Sequence, residues 1–224
     1  MAGFLKARGS SYGRPRAVFQ LAALAGLLAL GLSAQAAART LKVVALGDSL
    51  TAGYGVAAGK AFPDQLQAAL RAKGYDVEIA NAGVSGETAE DGLARFDWSV
   101  PAGTDALIVE LGANDMLRGF KPAIAKKALE GVLDKAKALN LPVLLTGMRA
   151  APNLGADYGR AYNAIFPDLA TSDGAILYPF FLEGVAANPK LNQADGLHPT
   201  AAGVAVIVQN ILPSVEALLK RVKS

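Results

Sequence analysis

The residues that could do chemistry in this chain are few and specifically placed. Histidine occurs once, as His198, and Asp195 stands three positions before it in "ADGLHPT". Far upstream, "VVALGDSLTAGYG" (residues 43–55) presents Ser49 just after an apolar run that stops at Gly47. A hydroxyl nucleophile, an imidazole base, a carboxylate to orient that base and donors for a developing oxyanion are the parts of an acyl-transfer site. Donors are on offer in "NAG" at 81–83 and "GAND" at 112–115. Gly83 lets the backbone approach an oxyanion without a side chain in the way. Asn114 offers amide N–H groups without adding charge. Pro199 disfavours helical backbone at His198, which places the imidazole on an extended loop. Taken singly, each feature has a bland explanation: Asp and Ser satisfy turn backbone, and a lone loop histidine is commonly just solvated. Their joint order turns the argument towards chemistry.

The elements that must position these residues follow from hydropathy patterning. Strands are predicted over 41–47, 76–83, 105–112, 141–148 and 174–180. Helices are predicted over 62–74, 87–98, 122–140, from 158 to a stop at Phe166 before Pro167, and over 200–220 behind a Thr200 cap. Residues 113–119 read as a loop. Strands alternating with crossover helices predict an α/β fold, a three-layer α/β/α sandwich on a parallel sheet of about five strands. In such sheets ligands bind beyond the carboxyl ends of the strands. The segments after Leu46, Ala80 and Leu111 are therefore expected along one edge, and they carry Ser49, Gly83 and Asn114.

The ordered blocks "GDSLTAGYG", "NAGVSGET", "GLARF", "VELGANDMLRGF", "YGRAYNAIFPDLA" and "DGLHP" resemble the SGNH or GDSL serine hydrolases. Within that family they are similar to the branch of periplasmic acyl-CoA thioesterase/lysophospholipases and bacterial arylesterases. The resemblance covers essentially all of residues 39–224 and implies a flavodoxin-like SGNH fold. It implies Ser49 as nucleophile, His198 as general base and Asp195 as the acid orienting it. It further implies an oxyanion hole built from the Ser49 N–H, the Gly83 N–H and the Asn114 amide. Asp48 and Asp115 are read as supports of their turns, and Ser85 as a neighbour of the site. Arg118 is left open between an anionic head group and a surface acid.

Composition excludes most rivals. Residues 1–38 hold Lys6, Arg8, Arg14 and Arg16 and no acid; without them the 22 basic residues fall to 18 against 19 acidic. The net charge of +3 therefore carries no argument for nucleic acid. The same segment has an apolar run from Ala17 to Leu32, then "SAQAAA", and reads as a secretory signal peptide cut after Ala36 or Ala38. The run is shorter than the roughly 20 apolar residues of a spanning helix, which argues against an uncleaved anchor. Pro15 separates the two arginines, so this is no twin-arginine signal. No second apolar run of that length is read. Residues 39–224 are expected to be one exported domain, periplasmic or secreted, monomeric and without stable membrane insertion after cleavage.

The chain has no cysteine and one histidine, which excludes a disulfide framework, a thiol nucleophile and a conventional zinc site. "GYGVAAGKAF" misses the spacing of a phosphate loop, and Thr51 replaces the second glycine of an α/β-hydrolase elbow. No cofactor and no metal are expected.

Substrate clues are thinner. Met116, Leu117 and Phe120 follow Asn114, and Phe180 and Phe181 precede the histidine loop; together they are expected to line an acyl groove. Packing in the core is the competing role for the phenylalanine pair. The resemblance implies small acyl esters, aryl esters, thioesters or lysophospholipids as substrates. A carbohydrate O-acetylesterase is the alternative enzyme, and a non-catalytic binding protein on the same scaffold the alternative of another class.

Overall fold

Strand β1 (Leu41–Gly47) forms where the sequence is apolar without alternation, and Val43 to Leu46 are all buried because both faces of the sheet are covered. The computed structural model describes residues 1–5 and 39–223, and the fold is that of the unit Arg39–Ser224. The proposed signal segment falls almost wholly on residues 6–38, outside the described residues. The other strands are β2 (Val77–Gly83), β3 (Ala106–Glu110), β4 (Val143–Thr146) and β5 (Ile176–Tyr178). They pair in parallel in the order β2-β1-β3-β4-β5. This is the expected five-stranded α/β sheet.

Two consequences of this topology place the site. The chain leaves β1 towards β2 and returns on the other side to β3, so the switch point of the sheet lies between β1 and β3. Gly47 also pairs with both Gly83 and Glu110, so three carboxyl ends finish level with one another.

The helices are α1 (Ser49–Ala52), α2 (Phe62–Ala72), α3 (Ala89–Ala94), α4 (Phe96–Ser99), α5 (Ala113–Leu117), α6 (Pro122–Ala138), α7 (Ala156–Asn163), α8 (Ile165–Asp173) and α9 (Ala201–Leu219). In α2, Phe62, Leu66 and Leu70 recur every four residues and are fully buried. Each such side chain contributes roughly 1.5–3 kcal/mol. Helices α2 and α9 pack on each other, while α6 packs on α3, α7 and α8.

Four details depart from the sequence reading. The helix expected over 87–98 is divided at Arg95 into α3 and α4; α3 starts on a reciprocal cap in which Thr88 and Asp91 satisfy each other's backbone. Pro167 does not stop a helix. It is the third residue of α8, where no intrahelical donor is required. The loop expected at 113–119 contains the helical turn α5. Finally, α9 is a second long apolar run, 19 residues with hydropathy 1.6, and by length and composition enough to cross a membrane. Its Val204, Ile207, Val208, Ile211 and Val215 are buried, and the helix packs on α2, β4 and β5 as a core element.

Candidate active site

The chain turns sharply at the end of β1 because no side chain stands in the way. A Cβ on Gly47 would lie 2.1 Å from Thr51 Oγ1 and 2.8 Å from the Glu110 carbonyl oxygen. Asp48 then caps α1, its Oδ1 accepting the Leu50 N–H at 3.0 Å. Gly53 closes the turn in the left-handed region at φ 83°, with its N–H donating to Ser49 O at 3.1 Å. Ser49 is thereby fixed at the first position of a single helical turn, half-buried at the sheet edge.

The histidine arrives from the other end of the chain. Thr200 caps α9 by accepting the Gly203 N–H, and its own N–H donates to Leu191 O at 2.8 Å. Asn192 and Pro199 form an antiparallel bridge across the loop's base. Within the loop, Asp195 Oδ1 accepts the Leu197 N–H at 2.9 Å and the His198 N–H at 3.0 Å. Asp195 Oδ2 lies 2.6 Å from His198 Nδ1, and His198 Nε2 lies 2.9 Å from Ser49 Oγ. A proton on Nδ1 donated to Asp195 leaves Nε2 as acceptor for the serine hydroxyl. Tyr54 lies against the imidazole, ring centroids 4.5 Å apart. The backbone N–H of His198, then its imidazole, hold the Asp195 carboxyl down at about 2.

The expected oxyanion donors fare unequally. Gly83 is corrected: its N–H donates to Asn81 Oδ1 at 3.0 Å, and a Cβ there would lie 2.2 Å from the Ala52 nitrogen. Its missing side chain admits α1, not a ligand. Three residues on, the turn 84–87 has spare donors. Val84 N–H and Glu87 N–H are used locally, whereas the Ser85 and Gly86 N–H groups have no partner among the described residues. That turn is tied to α5, with Arg118 Nη2 donating to Gly86 O at 2.6 Å and Asn114 Nδ2 to Glu87 O at 2.9 Å. Asn114 Nδ2 also donates to Asp48 Oδ2 at 3.0 Å, so both of its amide hydrogens are engaged. The Ser49 N–H has no acceptor among the described residues. Arg118 thus holds a turn, and Asp115 does likewise, accepting the Ala89 N–H at 2.8 Å.

A cleft of about 370 Å³ opens over Ser49 and His198, and Met116, Leu117, Met148, Phe180 and Leu182 line it. Two of the expected groove residues are corrected. Phe181 is fully buried and packs edge-on against Phe62 at 5.0 Å. Phe120 does not line the cleft; its carbonyl accepts the Tyr158 hydroxyl at 2.9 Å. Sequence reasoning passed over Arg149, at the cleft's rim with its guanidinium 4.5 Å from the Phe180 ring centre. It also passed over Glu110, whose signal was present: a lone acid ending an otherwise apolar strand, "ALIVE".

Known proteins are similar to this chain in sequence and in fold. Residues 45–206 match the GDSL-like Lipase/Acylhydrolase family. Esterase TesA of Pseudomonas aeruginosa is 40% identical over 198 residues, 88% of this chain and 98% of that one. Thioesterase 1/protease 1/lysophospholipase L1 of Escherichia coli (strain K12) is 41% identical over 165 residues, 73% of this chain and 77% of its own. The crystal structure of AlinE4, a SGNH-hydrolase family esterase, superposes with a TM-score of 0.69 at 46% identity, covering 81% of this chain and 97% of that one. With the sheet, its switch point and these matches in hand, the chain belongs to the GDSL/SGNH lipase and acylhydrolase family, and it is an ester-hydrolysing enzyme.

Proposed function

We propose that the protein is an exported serine esterase working through Ser49, His198 and Asp195. The observation that carries this is the continuous chain of contacts from Asp195 Oδ2 to His198 Nδ1 at 2.6 Å and from His198 Nε2 to Ser49 Oγ at 2.9 Å, at the floor of an apolar cleft. Ser49 Oγ attacks an ester or thioester carbonyl while His198 Nε2 takes its proton, and Asp195 stabilises the imidazolium. The imidazolium then protonates the leaving alcohol or thiol. Water, deprotonated by the same nitrogen, releases the acyl group from Ser49.

The oxyanion is held by the Ser49 N–H, the Gly86 N–H in place of Gly83, and the Asn114 amide. Asn114 must give up one present acceptor to do so, and Asp48 Oδ2 is the exchangeable one. The bond to Glu87 O keeps the side chain aimed while that exchange occurs. The apolar lining of Met116, Leu117 and Phe180 suits an acyl chain better than an acetylated sugar. Relatives named esterase and thioesterase/lysophospholipase support acyl esters and thioesters as the substrate class. Residues 1–38 supply the export signal in this reading, leaving 39–224 as the mature domain.

The test is p-nitrophenyl ester hydrolysis across acyl lengths by residues 39–224, with Ser49→Ala alongside. Turnover that disappears in the variant is the expected result, with an optimum beyond acetyl. Folded wild-type protein inert at every length, or a Ser49→Ala protein of undiminished rate, would defeat the proposal. Preference for acetylated sugars would replace the acyl-ester reading with the deacetylase one.

A further inference from the structure

A pair of carboxyl groups lies directly beneath the Ser49 turn, and the acyl-transfer steps use neither as acid or base. Asp48 and Glu110 are both 0% exposed. The sheet makes them neighbours, because Gly47 on β1 stands in register with Glu110 on β3. The Asp48 N–H points at Glu110 Oε2 at 3.4 Å, and Thr51 Oγ1 donates to that same oxygen at 2.8 Å. Glu110 Oε1 is buried with no donor among the described residues.

The surrounding charges do not neutralise the pair. Among the described residues no lysine or arginine forms an ion pair with either acid. Arg95, between α3 and α4, is committed to Gly47 O at 3.0 Å and to Glu87 Oε2 at 2.5 Å. His198 faces Asp48 from across Ser49, and its ring nitrogens are engaged with Ser49 and Asp195. Tyr162 on α7 donates its hydroxyl to Gly112 O at 2.6 Å, and Asp115 on α5 adds another acid, not a cation. Two carboxylates in such a place would repel each other in a medium that solvates neither, and such pairs retain a proton.

We propose that Glu110 stays protonated at neutral pH and donates that proton to the Asp48 carboxylate, acting as a positioning residue for the nucleophile turn. The bond leaves Asp48 Oδ1 on the Leu50 N–H, so one buried proton seats the turn that carries Ser49, and Oδ2 holds Asn114 until the amide turns to the oxyanion. The directions of titration agree: burial, then the Asp48 charge, push Glu110 well above the usual carboxyl range, and burial lifts Asp48 to about 6. Raising the pH strips Glu110, leaves two adjacent charges and loosens the turn, which predicts an alkaline fall in kcat that owes nothing to His198. This inference rests on Ser49 being the nucleophile for its effect on rate, but not for the location of the proton.

The test therefore has a spectroscopic arm and a kinetic arm. Difference infrared spectra, wild type minus Glu110→Gln at pH 7, should contain the stretch of a protonated carboxyl group. Repeating the subtraction in a Ser49→Ala background should give the same band, which separates this inference from the assignment of the nucleophile. In ester hydrolysis, Glu110→Gln keeps an N–H donor towards Asp48 and should lose the alkaline limb. Glu110→Met has similar reach and no donor, and should fall roughly 10²-fold below Glu110→Gln in kcat at similar KM, as expected when a nucleophile drifts out of line. Absence of the protonated band at pH 7 would overturn the proposal. So would a Glu110→Gln enzyme that keeps the wild-type alkaline limb. If Glu110→Met does not fold, the band and the Glu110→Gln pH profile decide the matter without it.

Discussion

Three carboxyl groups surround Ser49, and they obey opposite rules. Asp195 is exposed, yet it accepts two backbone N–H groups and the imidazole, which hold it down at about 2. Asp48 and Glu110 are fully buried, Glu110 Oε1 has no donor among the described residues, and both acids are pushed up. The difference shows that distance from Ser49 does not set the charge of an acid. The count of donors against the loss of water does. The acid proposed to orient His198 sits in a loop of N–H donors, while the acids beneath the Ser49 turn sit where, in the reading proposed above, one charge is all the site tolerates.

The sharpest way to break this contrast is Asp195→Asn. An amide facing His198 Nδ1 would favour the wrong tautomer and should cost up to about 10⁴ in kcat; steady-state kinetics showing less than a tenfold loss would mean that exposed Asp195 does not orient the base. Next in size is Asn114→Ala, expected to lower kcat by roughly 10² to 10³ if the amide serves the oxyanion. Wild-type rates there would leave Asn114 as a strut between Asp48 and Glu87 only.

Stability should separate the acids by pH. Asp195 has a lowered value, so its contribution is in place above the ordinary 3.8 and is lost as pH falls towards about 2. Asp48 has a raised value, so it penalises the fold increasingly as pH climbs from 3.8 to about 6. Thermal melts against pH should therefore show Asp195→Asn flattening the acid side, and Asp48→Asn gaining relative to wild type as pH rises from 4 to 7. Melts that shift in parallel at every pH would erase the distinction. The smallest effect belongs to Tyr54→Ala. Removing an aromatic partner worth about 0.5–1.5 kcal/mol from His198 should lower the melt by only a few degrees and reduce kcat several-fold.

Much of this was legible in the residues, for reasons that also explain the misses. Apolar runs marked all five strands, and the single histidine left one possible base. Strand ends marked Ser49 and Asn114 because a parallel sheet gathers such segments at one edge. Hydrogen-bond accounting, however, is invisible in a string of letters. "NAGVSG" offers two glycines, and only the folded backbone shows that the Gly83 N–H is spent on Asn81 while that of Gly86 is spare. Phe180 and Phe181 differ by one residue, and the turn after β5 sends the first to the cleft and the second to the core. Pro167 read as a stop because its tolerance depends on where the helix begins, which is a matter of tertiary packing.

Helix α9 has one more consequence. It covers α2 and the sheet while its Thr200 cap anchors the loop that carries His198. With α9 lifted away, Ser49 would remain at the end of β1 while the core lost its cover and the His198 loop its anchor. The cover of the core and the seat of the imidazole therefore stand or fall together.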